Sequence, residues 1–223
     1  VSAGAAPTIT AQPADAFVCA GSNALFSVST SGAAATGFQW QLSTDGGTNY
    51  NNIAGAVAAS YTVTAATAAQ NNYRYRVIVN GQCASVTSSG AILTVQTAPA
   101  ITAQPQNAVE CVGNNAVFSV TATGAGLTYQ WEFSIDGVAP YTTIAGATNN
   151  TYTVTAVTLA QNNYRYRVIV SGTCPAPVTS NAGILSVGNA AAINTQPAAT
   201  TVCVGQTATF TVGATGSSLT YQW

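Results

Sequence analysis

The cations of this chain are Arg74, Arg76, Arg165 and Arg167, and its carboxylates are Asp15, Asp45, Glu110, Glu132 and Asp136; it has no histidine and no lysine. Chemistry drawn from so small a set is narrow. A serine or cysteine nucleophile needs a neighbouring base, and the usual one is missing. Asp45 and Asp136 each precede a glycine at equivalent places in two copies of one repeat. They therefore do not converge as the paired carboxylates of glycoside hydrolysis, and both read as hairpin turns, where Asp-Gly supplies the positive φ of a tight reversal. A calcium loop would need several oxygens converging from one acidic segment. A phosphate loop would need a glycine-rich stretch between strand and helix. Neither pattern is present, and lysine–asparagine crosslinks are excluded by the lack of lysine. No enzymatic activity, metal or cofactor is expected.

The remaining reactive side chains are Cys19, Cys83, Cys111, Cys174 and Cys203. Without histidine or a CxxC spacing they do not form the usual zinc sites. Disulfides in an oxidising compartment are the natural alternative, which points to the cell exterior or cell surface. A formal net charge of −1 with no basic cluster argues against nucleic acid, whose binding rests on clustered Lys and Arg. No apolar run approaches the roughly 18 residues of a membrane span.

All four arginines lie in two copies of one string, QNNYRYRVIV, at 70–79 and 161–170. The duplication extends well beyond it. ITAQP at 9–13 returns at 101–105 and as INTQP at 193–197. Cys19, Cys111 and Cys203 are spaced by 92 residues, and Trp40, Trp131 and Trp223 by 91 and 92. Self-similarity at a fixed period marks an array of structural units. The expected division is 1–6 as the end of a preceding repeat or linker, 7–96 as repeat one, 97–188 as repeat two and 189–223 as the start of a third. Val1 matches Val95 and Val187, and Trp223 is expected in mid-strand, so both ends read as cut from a longer array.

Within a repeat the signals are all β. NALFSV, FQWQLS, SYTVT, YRYRVIVN and AILTV are short runs rich in Val, Tyr, Phe and Thr, separated by turn formers. No segment keeps a helical period. About seven strands per 90 residues suit a β-sandwich. Strand parity sends Tyr73, Tyr75, Val77 and Val79 inward and Arg74 and Arg76 outward, above Gln39 and Gln41 in repeat one and above Gln130 and Glu132 in repeat two. The plainest reading of the arginines is a solvated sheet face copied with its repeat.

Gly21 followed by ALFSV, Trp40 twelve residues after Val28, YTV at 61–63 and the YRYRV run together resemble immunoglobulin-like domains. More narrowly, the series ITxQP, VCxG, FSV, YQW, DGG, YTV, QNN and SGTC is similar to the tandem repeats of secreted Bacteroidota adhesins and surface fibres, including those of the gliding-motility type. The resemblance implies an all-β chain of tandem immunoglobulin-like β-sandwich domains arranged head to tail as a rod. It further implies a central packing of Val28, Trp40, Tyr75 and Val77, and of Val120, Trp131, Tyr166 and Val168, where related domains often carry an inter-sheet disulfide.

On that fold Cys19 and Cys83 lie at opposite ends of one sandwich, each about 20 Å from its centre at ~3.3 Å per residue, too far apart to bond. A bridge between Cys19 and Cys174 is expected instead, with Cys83, Cys111 and Cys203 reaching repeats outside this sequence. Pairing inside each repeat, or free or intermolecular thiols, remain alternatives. The function implied is a non-enzymatic structural region of an extracellular bacterial filament or adhesin stalk. Its partners would be neighbouring repeats and copies of itself in a filament. The alternative is a module binding a glycan or protein, with Arg74, Arg76, Arg165, Arg167, Tyr50 and Tyr141 as candidate surface contacts.

Overall fold

Alternating Val, Tyr, Phe and Thr cover a pleated surface well, because branched and aromatic side chains pack across neighbouring strands. In the computed structural model, which describes residues 6–223, those runs form strands throughout. Repeat one contains β1 (Pro7–Ala11), β2 (Ala16–Cys19), β3 (Ala24–Ser27), β4 (Ser29–Gly32), β5 (Gly37–Ser43), β6 (Asn51–Asn52), β7 (Ser60–Val63), β8 (Arg74–Asn80), β9 (Ser85–Thr87) and β10 (Ala91–Gln96). Repeat two contains β11 (Ala100–Ala103), β12 (Ala108–Cys111), β13 (Ala116–Ser119), β14 (Thr121–Thr123), β15 (Thr128–Ser134), β16 (Thr142–Thr143), β17 (Thr151–Val154), β18 (Arg165–Ser171), β19 (Val178–Thr179) and β20 (Gly183–Gly188).

The larger sheet of repeat one runs β2-β10-β8-β5-β6, with β9 also pairing β8. All its pairings are antiparallel except β2 with β10, which is parallel. The opposing layer is built from the β1–β4 and β3–β7 pairs. Repeat two repeats this order as β12-β20-β18-β15-β16, with β11–β14 and β13–β17 opposite. There are more segments than the seven expected, in part because two long strands are each broken. The first divides at Pro13 into β1 and β2, which join different sheets; proline cannot donate to a ladder. The second divides at Val28, where the partner changes: β3 pairs β7 and β4 pairs β1, while the Val28 N–H still bonds the Ala59 carbonyl in the β3–β7 register.

Two compact units result. The first comprises residues up to Pro99 with Gly124–Gly126 and Gly172–Ala176; the second comprises Ala100–Thr123, Leu127–Ser171 and Pro177–Trp223. In the first, Val28, Trp40, Tyr75 and Val77 are all buried, and Trp40 and Val77 are 0% exposed. Phe26 stacks on Tyr75 at 4.7 Å between ring centroids, and the Trp40 indole N–H donates to the Ala58 carbonyl at 2.9 Å. In the second, Val120, Trp131, Tyr166 and Val168 are equally buried, Phe118 stacks on Tyr166 at 4.7 Å, and the Trp131 N–H donates to the Asn149 carbonyl. Burial pushes the Tyr75 and Tyr166 phenols up to about 12.

Residues 189–223 form only one strand pair, β21 (Ala192–Thr195) with β22 (Gly213–Thr215). Trp223 is 71% exposed and lies in no strand, contrary to the mid-strand expectation. Among residues 189–223 no segment matches β7 or β8, or their counterparts β17 and β18, which flank the equivalent Trp40 and Trp131 in the complete repeats. Residues 1–5 of the expected leading segment lie outside the described residues.

Candidate functional site

The nine charged side chains share one feature of placement. Arg74, Arg76, Arg165, Arg167, Glu110 and Glu132 sit on strands of the larger sheets, Asp15 immediately precedes β2, and Asp45 and Asp136 lie in the loops after β5 and β15. The opposing β1–β4, β3–β7, β11–β14 and β13–β17 layers carry no charge at all. Any electrostatic recognition is therefore confined to the larger sheets.

On the first of these, register pairs Arg76 with Gln41 and Arg74 with Ser43. Arg76 Nε donates to Gln41 Oε1 at 2.7 Å, and Gln41 Nε2 donates to Asn52 Oδ1 at 2.8 Å. The guanidinium lies over the Tyr50 ring, 3.8 Å from its centroid, a cation–π arrangement favoured by the ring quadrupole. Tyr50 is half-buried, so it is not the exposed aromatic platform that a sugar-stacking reading requires. The same holds for Tyr141, which Arg167 covers at 3.7 Å. Gln39 also departs from expectation. Its amide turns away from the arginines to the carbonyls of Trp40 and Ile53, as Gln130 does to those of Trp131 and Ile144. These amides tie β5 to β6 and β15 to β16.

The second face differs at one residue. Glu132 replaces Gln41, and its Oε2 accepts from Arg167 Nε at 3.0 Å and Nη2 at 2.9 Å. The Arg167 charge is thereby neutralised inside its own repeat. Arg165 passes over the turn at Gly137, where any side chain would collide with its guanidinium. Arg74 similarly crosses Gly47, where a Cβ would lie 3.1 Å from its Cδ and 3.2 Å from the Tyr50 hydroxyl.

The Asp-Gly segments are hairpin loops, though longer than tight turns. Asp45 anchors seven residues between β5 and β6, accepting from the N–H groups of Thr48 and Asn49, the Ser43 hydroxyl and the Asn49 amide. The Asn49 N–H, then the Ser43 hydroxyl, holds its carboxyl well below the usual carboxylate range. Asp136 is lowered by the Val138 N–H and then by the Ser134 hydroxyl. Gly46 and Gly47 take the positive φ values of 80° and 97° that the reversal demands. Among the described residues no three His, Cys, Asp or Glu side chains group as a metal site.

Cys19 and Cys174 form a disulfide with Cα atoms 5.7 Å apart and a sequence separation of 155. Cys19 ends β2, where it pairs with Gln96. Cys174 belongs by sequence to repeat two, yet its 172–176 loop clusters with the first compact unit. The Thr173 N–H bonds the Ala125 carbonyl, and the Ala125 N–H bonds that of Thr97. Cys83 and Cys203 are exposed and Cys111 is half-buried; all three are free. Among the described residues no helix is long and apolar enough to cross a membrane.

Two largely antiparallel layers around a buried Trp, repeated in tandem, define an immunoglobulin-like β-sandwich protein. Solved structures agree on the fold. The I67–I69 fragment of the titin I-band matches with a TM-score of 0.62 at 13% identity, covering 87% of this chain and 70% of that one. The N-terminal eight immunoglobulin domains of Down Syndrome Cell Adhesion Molecule match at 0.57 and 14%, covering 81% and 24%. The chain belongs to the family described as Domain of unknown function (DUF8696), which matches residues 8–97 and again 100–189. Among curated proteins, Endoglucanase C of Cellulomonas fimi is 38% identical over 120 residues, 53% of this chain. The match spans only 11% of that relative's length.

Proposed function

We propose that this chain is a structural, non-enzymatic repeat region of an extracellular bacterial filament or surface-adhesin stalk. The observation that carries this reading is the Cys19–Cys174 disulfide. A bridge of this kind persists in oxidising, extracellular surroundings, and it links residues of two successive sequence repeats. Its mechanical consequence follows from covalent connectivity alone. Tension applied at the two ends passes from Cys19 directly to Cys174, so the intervening strands carry none of it. Residues 20–173 are bypassed, while β1, β2, β19 and β20 lie outside the bridge and stay in the load path.

Cys111 and Cys203 occupy the place of Cys19 in their repeats and Cys83 that of Cys174, and under this proposal they make the same bridges to repeats outside this sequence. The resemblance to adhesin repeats and the adhesion-molecule and titin structures support a scaffold role. The small charge complement supports it further, because an uncharged second layer lets like copies pack without repulsion. The partial match to an endoglucanase is consistent with a repeat module carried alongside a catalytic domain, as this chain lacks the paired carboxylates of glycoside hydrolysis.

Non-reducing peptide mapping of the protein recovered from the culture medium or cell surface tests the proposal. It should yield a crosslinked peptide containing Cys19 and Cys174. A Cys19–Cys83 peptide, or fully alkylatable thiols, would contradict it.

A further inference from the structure

We propose that the outer face of the larger sheet in repeat one is a binding site for a uronic-acid polysaccharide, with the sugar carboxylate held by Arg76. The inference goes beyond the mechanical role and does not depend on it. It rests on a comparison the molecule makes within itself. The segments carrying Arg76 and Arg167, 70–79 and 161–170, are identical over ten residues, and both guanidinium groups are pinned over a tyrosine. In repeat two, that arrangement already binds a carboxylate: Glu132 Oε2 takes both Nε and Nη2. In repeat one the neighbour is Gln41, whose amide oxygen takes Nε alone.

Among the described residues no carboxylate lies within salt-bridge distance of Arg76 or Arg74. Arg76 is therefore oriented by its Gln41 bond and its ring contact, with its terminal nitrogens unpaired. A planar guanidinium held in place loses little freedom when a carboxylate arrives, and charge-assisted N–H···O bonds are the stronger kind. The flanking groups fit a hydroxyl-rich chain. Asn51 and Asn52 are exposed amides on the edge strand β6, and Thr44 and Thr48 are exposed in the loop anchored by Asp45. Amides and hydroxyls of this kind both donate to and accept from sugar hydroxyls. A single partly exposed ion pair of this sort is weak, so binding of a short oligomer should fall in the millimolar range.

The test exploits the presence of only four arginines and no lysine. A two-dimensional spectrum of arginine Nε–Hε groups from the whole chain should hold four resolvable signals, to be titrated with trigalacturonate. The Arg76 signal should shift saturably while Arg167 stays fixed, and the methyl-esterified oligomer should move neither. Gln41→Glu should weaken the Arg76 response at least tenfold by supplying the internal partner. Glu132→Gln should make Arg167 respond. Each substitution installs the residue that the other repeat carries at that place, and unchanged dispersion of the remaining amide signals confirms folding. No Arg76 shift at any concentration, an equal response from Arg167 in the unmodified chain, or an equal response to the methyl ester would overturn the proposal. So would a response to a glutamate-rich peptide but not to trigalacturonate.

Discussion

Single residues set the local shape of each sheet face, and Asp45 is the clearest case. Its carboxylate collects hydrogen bonds from the very loop it begins, and these favour its ionised form. The sign follows directly. A carboxyl depressed in the folded state contributes stability above its unfolded value, about 3.9, and that contribution disappears as pH falls through the folded value. Acid unfolding followed by circular dichroism should therefore steepen below about pH 4, and Asp45→Asn should flatten that limb. Equal slopes for the two proteins would mean that the loop bonds do not distinguish the ionised from the neutral carboxyl. Residue-level readings from sequence succeeded where parity alone decides, as with inward Tyr75 and outward Arg76. They failed for Tyr50. Its union with Arg76 depends on how a seven-residue loop folds back over β8, and nothing in the spacing of 50 and 76 encodes that.

At the scale of the element, β5 and β15 are the strands on which each sandwich is organised. Each pairs along its whole length with β8 or β18 and delivers a fully buried tryptophan whose N–H crosses to the opposite layer. Trp40→Phe removes that donor, leaves the Ala58 carbonyl without its partner and opens a small cavity. A cost of about 2–3 kcal/mol is expected. Hydrogen-exchange mass spectrometry should show the amides of 37–43 and 74–80 losing protection by one to two orders of magnitude. Those of 128–134 should be unchanged, and unaltered protection in β5 would show that the indole bond contributes little. The strands themselves were legible because Val, Tyr and Thr alternate so regularly. Their interruptions were less so. The break at Pro13 has a visible cause in the proline, but the one at Val28 marks a change of partner from β7 to β1, which local pattern cannot reveal.

At the scale of the whole chain, the repeat period was plain in the spacing of the Cys and Trp residues, and the tandem immunoglobulin-like fold followed from it. The Cys19–Cys174 pairing expected from the sequence is also present, with the 172–176 loop placing Cys174 beside Cys19. The central claim is that this bond diverts load around residues 20–173, and force spectroscopy on the chain held at its two ends addresses it most directly. Oxidised molecules should stretch with residues 20–173 locked out of the extension. Reduction, or Cys19→Ser, should release roughly 500 Å of additional contour length, at ~3.3–3.6 Å per residue over the 155-residue span, in discrete unfolding steps. If oxidised and reduced molecules show the same unfolding steps and the same final length, the bridge is not in the load path, and the account of this chain as a stapled scaffold is wrong.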